Sequence, residues 1–166
     1  VRQARKELGI RSLFNLLGPL INPARVKKQV VGVFSYQWMQ PLASVLARLG
    51  SERALVVSSM DGLDEVSIAA PTAVLEYHKG QHTSWIISPK DYGMNYNSLD
   101  PLIVDSPQQS LQIIEELLNG SKGAARDIVL LNAATAIYCA KEYYSFTDAL
   151  EQADAAIESG QAADLF

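Results

Sequence analysis

A single cysteine, Cys139, stands among 166 residues, so no disulfide can close within the chain. Long apolar runs are missing too: none approaches the roughly 20 consecutive residues that span a bilayer. Nor is there an excess of positive charge. Fourteen basic against eighteen acidic residues leave a formal net charge of −4, which offers no general attraction for nucleic acid or an anionic membrane, so a polyanionic partner has to be held locally. A reducing, cytoplasmic compartment fits these absences. The opening residues, "VRQARKELG", contain neither a starting Met nor an apolar signal core; they read as the interior of a helix, and the chain is expected to be a piece of a longer protein. Repeats and low-complexity segments are absent as well. The remaining balance, 48% hydrophobic and 19% charged, is that of one globular domain with its own core.

What is present alternates between two periodicities. Residues 29–34, "QVVGVF", form a β-branched run suited to a strand buried on both faces, and residues 37–49 follow with apolar side chains at helical spacing, ending at Gly50. "RALVVSS" is a second buried-strand candidate. Strand, helix and strand with short joints predict a parallel βαβ unit. Then "TAVLEY" (72–77) and "TSWIIS" (83–88) flank "HKGQH", whose Gly80 can supply the positive φ of a hairpin loop, so an antiparallel hairpin insertion is expected. The rest is helical. "SPQQSLQIIEELLNG" has Ser106 as N-cap, Pro107 at the first helical position and Gly120 as stop, and "GAARDIVLLNAATAIYCAK" and "SFTDALEQADAAIESG" follow. Ile128, Leu131, Thr135 and Tyr138 share one stripe of the second of these, which reads as core. The expected fold is α/β: a mixed sheet built on a βαβ unit, flanked by helices, with the hairpin and C-terminal helices added.

The stretch richest in chemistry is "SSMDGLDEVS", residues 58–67, where Asp61, Asp64 and Glu65 follow the apolar run "ALVV". Three readings are open: a tight solvated turn, a helix start capped by Asp64, and a seat for a cation. Position favours the last, because ligands of open α/β sheets gather at the carboxyl ends of strands and a turn lets two adjacent carboxylates aim at one point. Hard oxygen donors in that arrangement suit Mg²⁺, which takes one or two carboxylates and completes its shell with water and substrate phosphate. His78 and His82 read as surface residues on either side of a turn, Cys139 as a small buried hydrophobe, and Arg25, Lys27 and Lys28 as a solvated face.

"RKELGIRSLFNLLGPLINPA" (5–24), "DGLDEVS" and "RDIVLLNAATAIY" together resemble anthranilate phosphoribosyltransferase over essentially the whole chain. The resemblance implies a homodimeric enzyme of tryptophan biosynthesis with a small helical and a larger α/β domain. Such an enzyme moves phosphoribosyl from phosphoribosyl pyrophosphate (PRPP) to the amine of anthranilate. Residues 1–166 would form the C-terminal part of the larger domain. By motif, Arg5 is implied to hold the anthranilate carboxylate, Gly18 to line the anthranilate pocket, and Asp64 and Glu65 to bind Mg²⁺ beside the diphosphate. A guanidinium grips a carboxylate with two parallel hydrogen bonds, and a flat ring is approached closely by a residue without a side chain. Arg2 and Arg11 compete with Arg5 for the carboxylate.

Two departures stand out. Ser58 and Ser59 occupy positions where the family often has His-Gly, and no "GTGGD"-like stretch that would cradle PRPP phosphates occurs in these residues, so the 166 residues alone are expected to be inactive. Two further classes stay open: a pyrimidine nucleoside phosphorylase, which would not need the Asp-Glu pair, and a non-catalytic binding module of the same fold.

Overall fold

The structure, a computed structural model, describes residues 18–142 and 144–166. Arg2, Arg5, Arg11 and the helix expected before Gly18 therefore lie outside the described residues. Strands β1 (Lys28–Gly32), β2 (Arg53–Ser59), β3 (Thr72–His78) and β4 (Gln81–Ile87) form one sheet in the order β1-β2-β3-β4. β1 and β2 are parallel and joined through helix α1 (Met39–Arg48), whereas β2–β3 and β3–β4 are antiparallel. The expected βαβ unit and hairpin are both present, in a single mixed sheet. The hairpin loop is tighter than the sequence suggested. His78 pairs with Gln81, leaving only Lys79 and Gly80 in the turn, both at positive φ (49° and 83°).

Helix α2 (Pro107–Leu118) starts as its sequence predicts, with the Ser106 hydroxyl accepting from the Gln109 amide at 3.2 Å. Helices α3 (Ala124–Ala140) and α4 (Phe146–Glu158) follow, the latter opened by a reciprocal capping box between Ser145 and Asp148. Alternation along the strands sends side chains to two cores. Ala54, Val56 and Leu75 meet Leu42, Ala43 and Leu46 of α1 on one face. Leu55, Val57, Val74 and Ile87 meet Leu131 and Ala134 of α3 and Ala149 and Ala153 of α4 on the other. Leu131 and Thr135 of the predicted stripe are fully buried. One expectation fails. β1 is not buried on both faces, since Val30 is 37% exposed; with only β2 beside it among the described residues it is an edge, whereas β2, flanked on both sides, is buried at every position.

Inside the second core lies an ion pair that the strand patterns did not announce. Arg53 Nε donates to Glu76 Oε1 at 2.7 Å, with the two side chains 4% and 10% exposed. Arg53 sits diagonally across the β2–β3 ladder from Glu76, the separation that long side chains bridge. Its Nη1 also donates to the carbonyls of Tyr138 (2.6 Å) and Lys141 (2.9 Å), and its guanidinium lies 4.1 Å from the centre of the Tyr138 ring. Glu76 Oε2 accepts from Trp85 Nε1 (3.2 Å) and the Tyr138 hydroxyl (3.1 Å). Truncation of Glu76 to alanine leaves the Arg53 charge buried and uncompensated, and is expected to cost about 3–5 kcal/mol. The joint replacement Arg53→Met with Glu76→Leu should cost less than that single change, and urea denaturation of both variants beside the parent sequence measures the difference.

Candidate functional site

The site grows from the carboxyl end of β2. Beyond Ser59 the chain turns on Gly62, at φ 90°, with the Gly62 amide donating to the Ser59 carbonyl at 3.1 Å and the Ser59 amide to the Leu63 carbonyl at 3.1 Å. Asp61 is consumed by this turn. Its Oδ1 accepts from the Leu63 amide at 3.2 Å and its Oδ2 from the Ser67 hydroxyl at 2.6 Å. Partial burial pushes the Asp61 carboxyl up, but the hydrogen-bond donors around it, the Ser67 hydroxyl foremost, together hold the group below the ordinary carboxylate value of 3.8. No helix follows Asp64, contrary to one reading of the sequence. Ser67 and Thr72 side chains take the amides of Ala69 (3.0 Å) and Ser67 (3.2 Å), and these local bonds compete with helical ones until Pro71 leads into β3.

Val66, Ser67 and Ile68 are buried, so the loop is anchored in the core, while Asp64 and Glu65 just before them are exposed. Among the described residues neither carboxylate takes a hydrogen bond or an ion pair, and no group of three or more His, Cys, Asp or Glu side chains converges on a metal site. Asp64 and Glu65 are thus two adjacent, exposed carboxylates and not part of a closed cage among the described residues. A donor set of this size fits Mg²⁺ that keeps several waters and shares substrate phosphate oxygens.

Two residues that sequence reasoning missed hold this loop. Gly32 ends β1, and a Cβ there would overlap the carbonyl oxygen of Asp64, so the loop can rest on the strand end only because that position lacks a side chain. Asn132 of α3 bonds the main chain of Val66 with both ends of its amide. Each carried a signal: a glycine inside the run "VVGVF" marks close backbone approach, and an asparagine inside "VLLNAATA" needs partners in an apolar helix. Beside the loop, on the α1 side of the sheet, opens a groove of about 780 Å³ bordered by Phe34, Tyr36, Met39, Met60, Gly62 and Ile86.

The other sequence candidates separate. Gly18 begins a short 3-10 turn to Ile21, and a Cβ there would meet nothing within 4 Å among the described residues. The proline-stiffened loop beyond it is closed by Asn22, whose Oδ1 accepts from the Ala24 amide at 3.0 Å. Ser58 and Ser59 are buried at the end of β2. Lys27 and Lys28 are spent on backbone carbonyls, of Gly50 (3.0 Å) and Ala140 (2.9 Å), where α1 and α3 end. His82 packs its ring 5.2 Å from that of Tyr77 and belongs to the hairpin. Cys139 is buried with its sulfur 3.4 Å from the Gln29 carbonyl oxygen, and burial pushes its thiol up, as expected of an inert cysteine.

A mixed sheet bearing an acidic loop at the carboxyl end of its central parallel strand is an arrangement with known counterparts. Residues 1–163 match the glycosyl transferase family, a/b domain. The chain belongs to that family. Among its relatives, the anthranilate phosphoribosyltransferase of Legionella pneumophila (strain Paris) is 63% identical over 161 residues, covering 97% of this chain and 47% of the relative. That of Thermoanaerobacter sp. (strain X514) is 46% identical over 160 residues, covering 96% and 47%. Of solved structures, the anthranilate phosphoribosyltransferase of Thermus thermophilus superposes with a TM-score of 0.86 at 37% identity, covering 99% of this chain and 49% of that one. The Saccharomyces cerevisiae enzyme in complex with PRPP and Mg gives 0.86 at 29% identity, covering 99% and 48%. The chain thus spans about half the length of the relatives it matches. Within this glycosyl transferase domain, Gly32→Ala is expected to push the acidic loop off the end of β1, since the obstacle is backbone rather than a flexible side chain. The cost should be about 1–3 kcal/mol, with faster amide exchange across residues 59–67 and an unchanged β3–β4 hairpin, as mass-spectrometric hydrogen exchange would report.

Proposed function

We propose that the longer protein to which these residues belong transfers the phosphoribosyl group of PRPP to the amine of anthranilate, giving N-(5-phosphoribosyl)anthranilate and pyrophosphate in tryptophan biosynthesis. The observation that carries this reading is the exposed, unpaired Asp64–Glu65 couple on a loop braced at the carboxyl end of β2, in a chain 63% identical to an anthranilate phosphoribosyltransferase. The pair also favours this reading over a nucleoside phosphorylase, which has no use for two metal-binding carboxylates at this place.

In this reading Asp64 and Glu65 would hold Mg²⁺ through their carboxylates. When bound, the ion neutralises charge on the departing diphosphate and orients it. Arg5 grips the anthranilate carboxylate through a bidentate, charge-assisted contact, and Gly18, without a side chain, lines the pocket for the flat ring. The amine is already a nucleophile, so the residues have mainly to hold it in line with the ribosyl carbon, and no strong general base is assigned. The reading includes a cytoplasmic homodimer, as the family resemblance implies; among the described residues no helix is long and apolar enough to cross a membrane.

In that protein Arg5→Ala is expected to raise the KM for anthranilate far more than that for PRPP. The lost contact is worth about 1.5–3 kcal/mol, or roughly ten- to a hundredfold in affinity. Steady-state kinetics with each substrate varied in turn checks this, and an effect confined to Arg2→Ala or Arg11→Ala would move the assignment to that residue. The double replacement Asp64→Asn with Glu65→Gln keeps size and removes charge. Its thermal midpoint should stay close to that of the unmodified protein, its turnover should collapse, and any residual rate should demand much more Mg²⁺. Near-normal turnover at ordinary Mg²⁺ would return the pair to the status of a solvated turn.

A further inference from the structure

Asn132 stands half-buried midway along α3, and its side chain leaves the helix to meet one residue of the acidic loop. Its Oδ1 accepts from the Val66 amide at 3.0 Å, and its Nδ2 donates to the Val66 carbonyl at 2.8 Å and to the Ile128 carbonyl, one helical turn back, at 2.9 Å. Rotating the amide by half a turn would aim Oδ1 at two carbonyl oxygens, so the Ile128 bond fixes which end faces which group. Asn132 thereby does for Val66 what a neighbouring strand would do, satisfying both main-chain groups of a single buried residue. An aliphatic side chain could do neither, and a carboxylate only one.

Val66 directly follows Glu65 and is fully buried. Pinning both of its main-chain groups from α3 fixes the direction in which the backbone leaves Glu65, while the bare Gly32 position lets the Asp64 carbonyl come close to the end of β1. The carboxylates themselves contribute nothing to holding the loop. We infer that Asn132 is a positioning residue for the metal-binding pair: it sets the spacing of the Asp64 and Glu65 oxygens toward a Mg²⁺–diphosphate, from a helix that does not itself supply a ligand. This rests on the reading of Asp64 and Glu65 as Mg²⁺ ligands given above. Groups that orient metal-binding carboxylates from behind commonly govern affinity without touching the ion.

The test uses the full-length protein and two variants. Asn132→Ala removes all three bonds. Asn132→Asp is nearly isosteric and keeps the acceptor for the Val66 amide, so it reports even where the alanine variant does not fold. In both, the Mg²⁺ concentration for half-maximal rate should rise roughly ten- to a hundredfold, with the maximal rate recovering at saturating Mg²⁺ and the KM for anthranilate unchanged. Without metal, amide exchange at Val66 should accelerate, more in the alanine variant than in the aspartate one. A lowered thermal midpoint with an unchanged Mg²⁺ requirement would overturn the inference and leave Asn132 as a fold-stabilising residue only. The charge-removing double variant separates the two claims. If it collapses while the Asn132 variants need no extra Mg²⁺, the positioning role alone falls; if it keeps normal Mg²⁺ dependence, the metal reading falls and takes this inference with it.

Discussion

The buried pair of Arg53 and Glu76 is the interaction on which the geometry of the site depends. Taking two charges out of water is costly, and the cost is offset only when every remaining donor and acceptor nearby is satisfied. Here the satisfaction comes from three directions. Tyr138 and Lys141 offer carbonyls at the C-terminal end of α3, where the helix dipole favours a cation, and Trp85 and Tyr138 supply donors to the second glutamate oxygen. Lys28 adds a second cation at the same helix end. These contacts fix α3 along its own axis relative to β2, β3 and β4. Asn132, on that same helix, can meet Val66 only if that axial position is right.

The acidic loop divides two jobs among its three carboxylates. Asp61 is spent on closing the turn, through the Leu63 amide and the Ser67 hydroxyl. Asp64 and Glu65 take part in no such bond and remain exposed, so a ligand need not first break an internal contact to reach them. Loop rigidity comes instead from neutral bonds and from packing: the Asn132 clamp, the Thr72 and Ser67 hydroxyls, the contact with Gly32, and the buried side chains of Val66 and Ile68. Pre-arranged oxygen donors bind a hard cation without losing the entropy of gathering them, which is the physical advantage of holding the loop by its backbone.

Much of this was legible in the residues themselves. β-branched and apolar runs and helical spacing, with Ser106, Pro107, Gly120 and Gly80 as punctuation, determined the four strands, the four described helices and a hairpin turn, because those signals are local and act within a few residues of where they stand. The acidic pair was legible for the same reason: it follows closely on a strand of apolar side chains. What only the tertiary structure decided involves partners far apart in the chain. Arg53 and Glu76 lie in two separate strand candidates, and only the β2–β3 register sets them diagonally across one face. Gly32 is required to be bare only because Asp64 is laid against it, and Asn132 finds its partners only in Val66, 66 positions away. Local sequence encodes which backbone conformation a segment prefers. Which donor meets which acceptor depends on strand order and helix placement, and those are settled by the packing of the whole core.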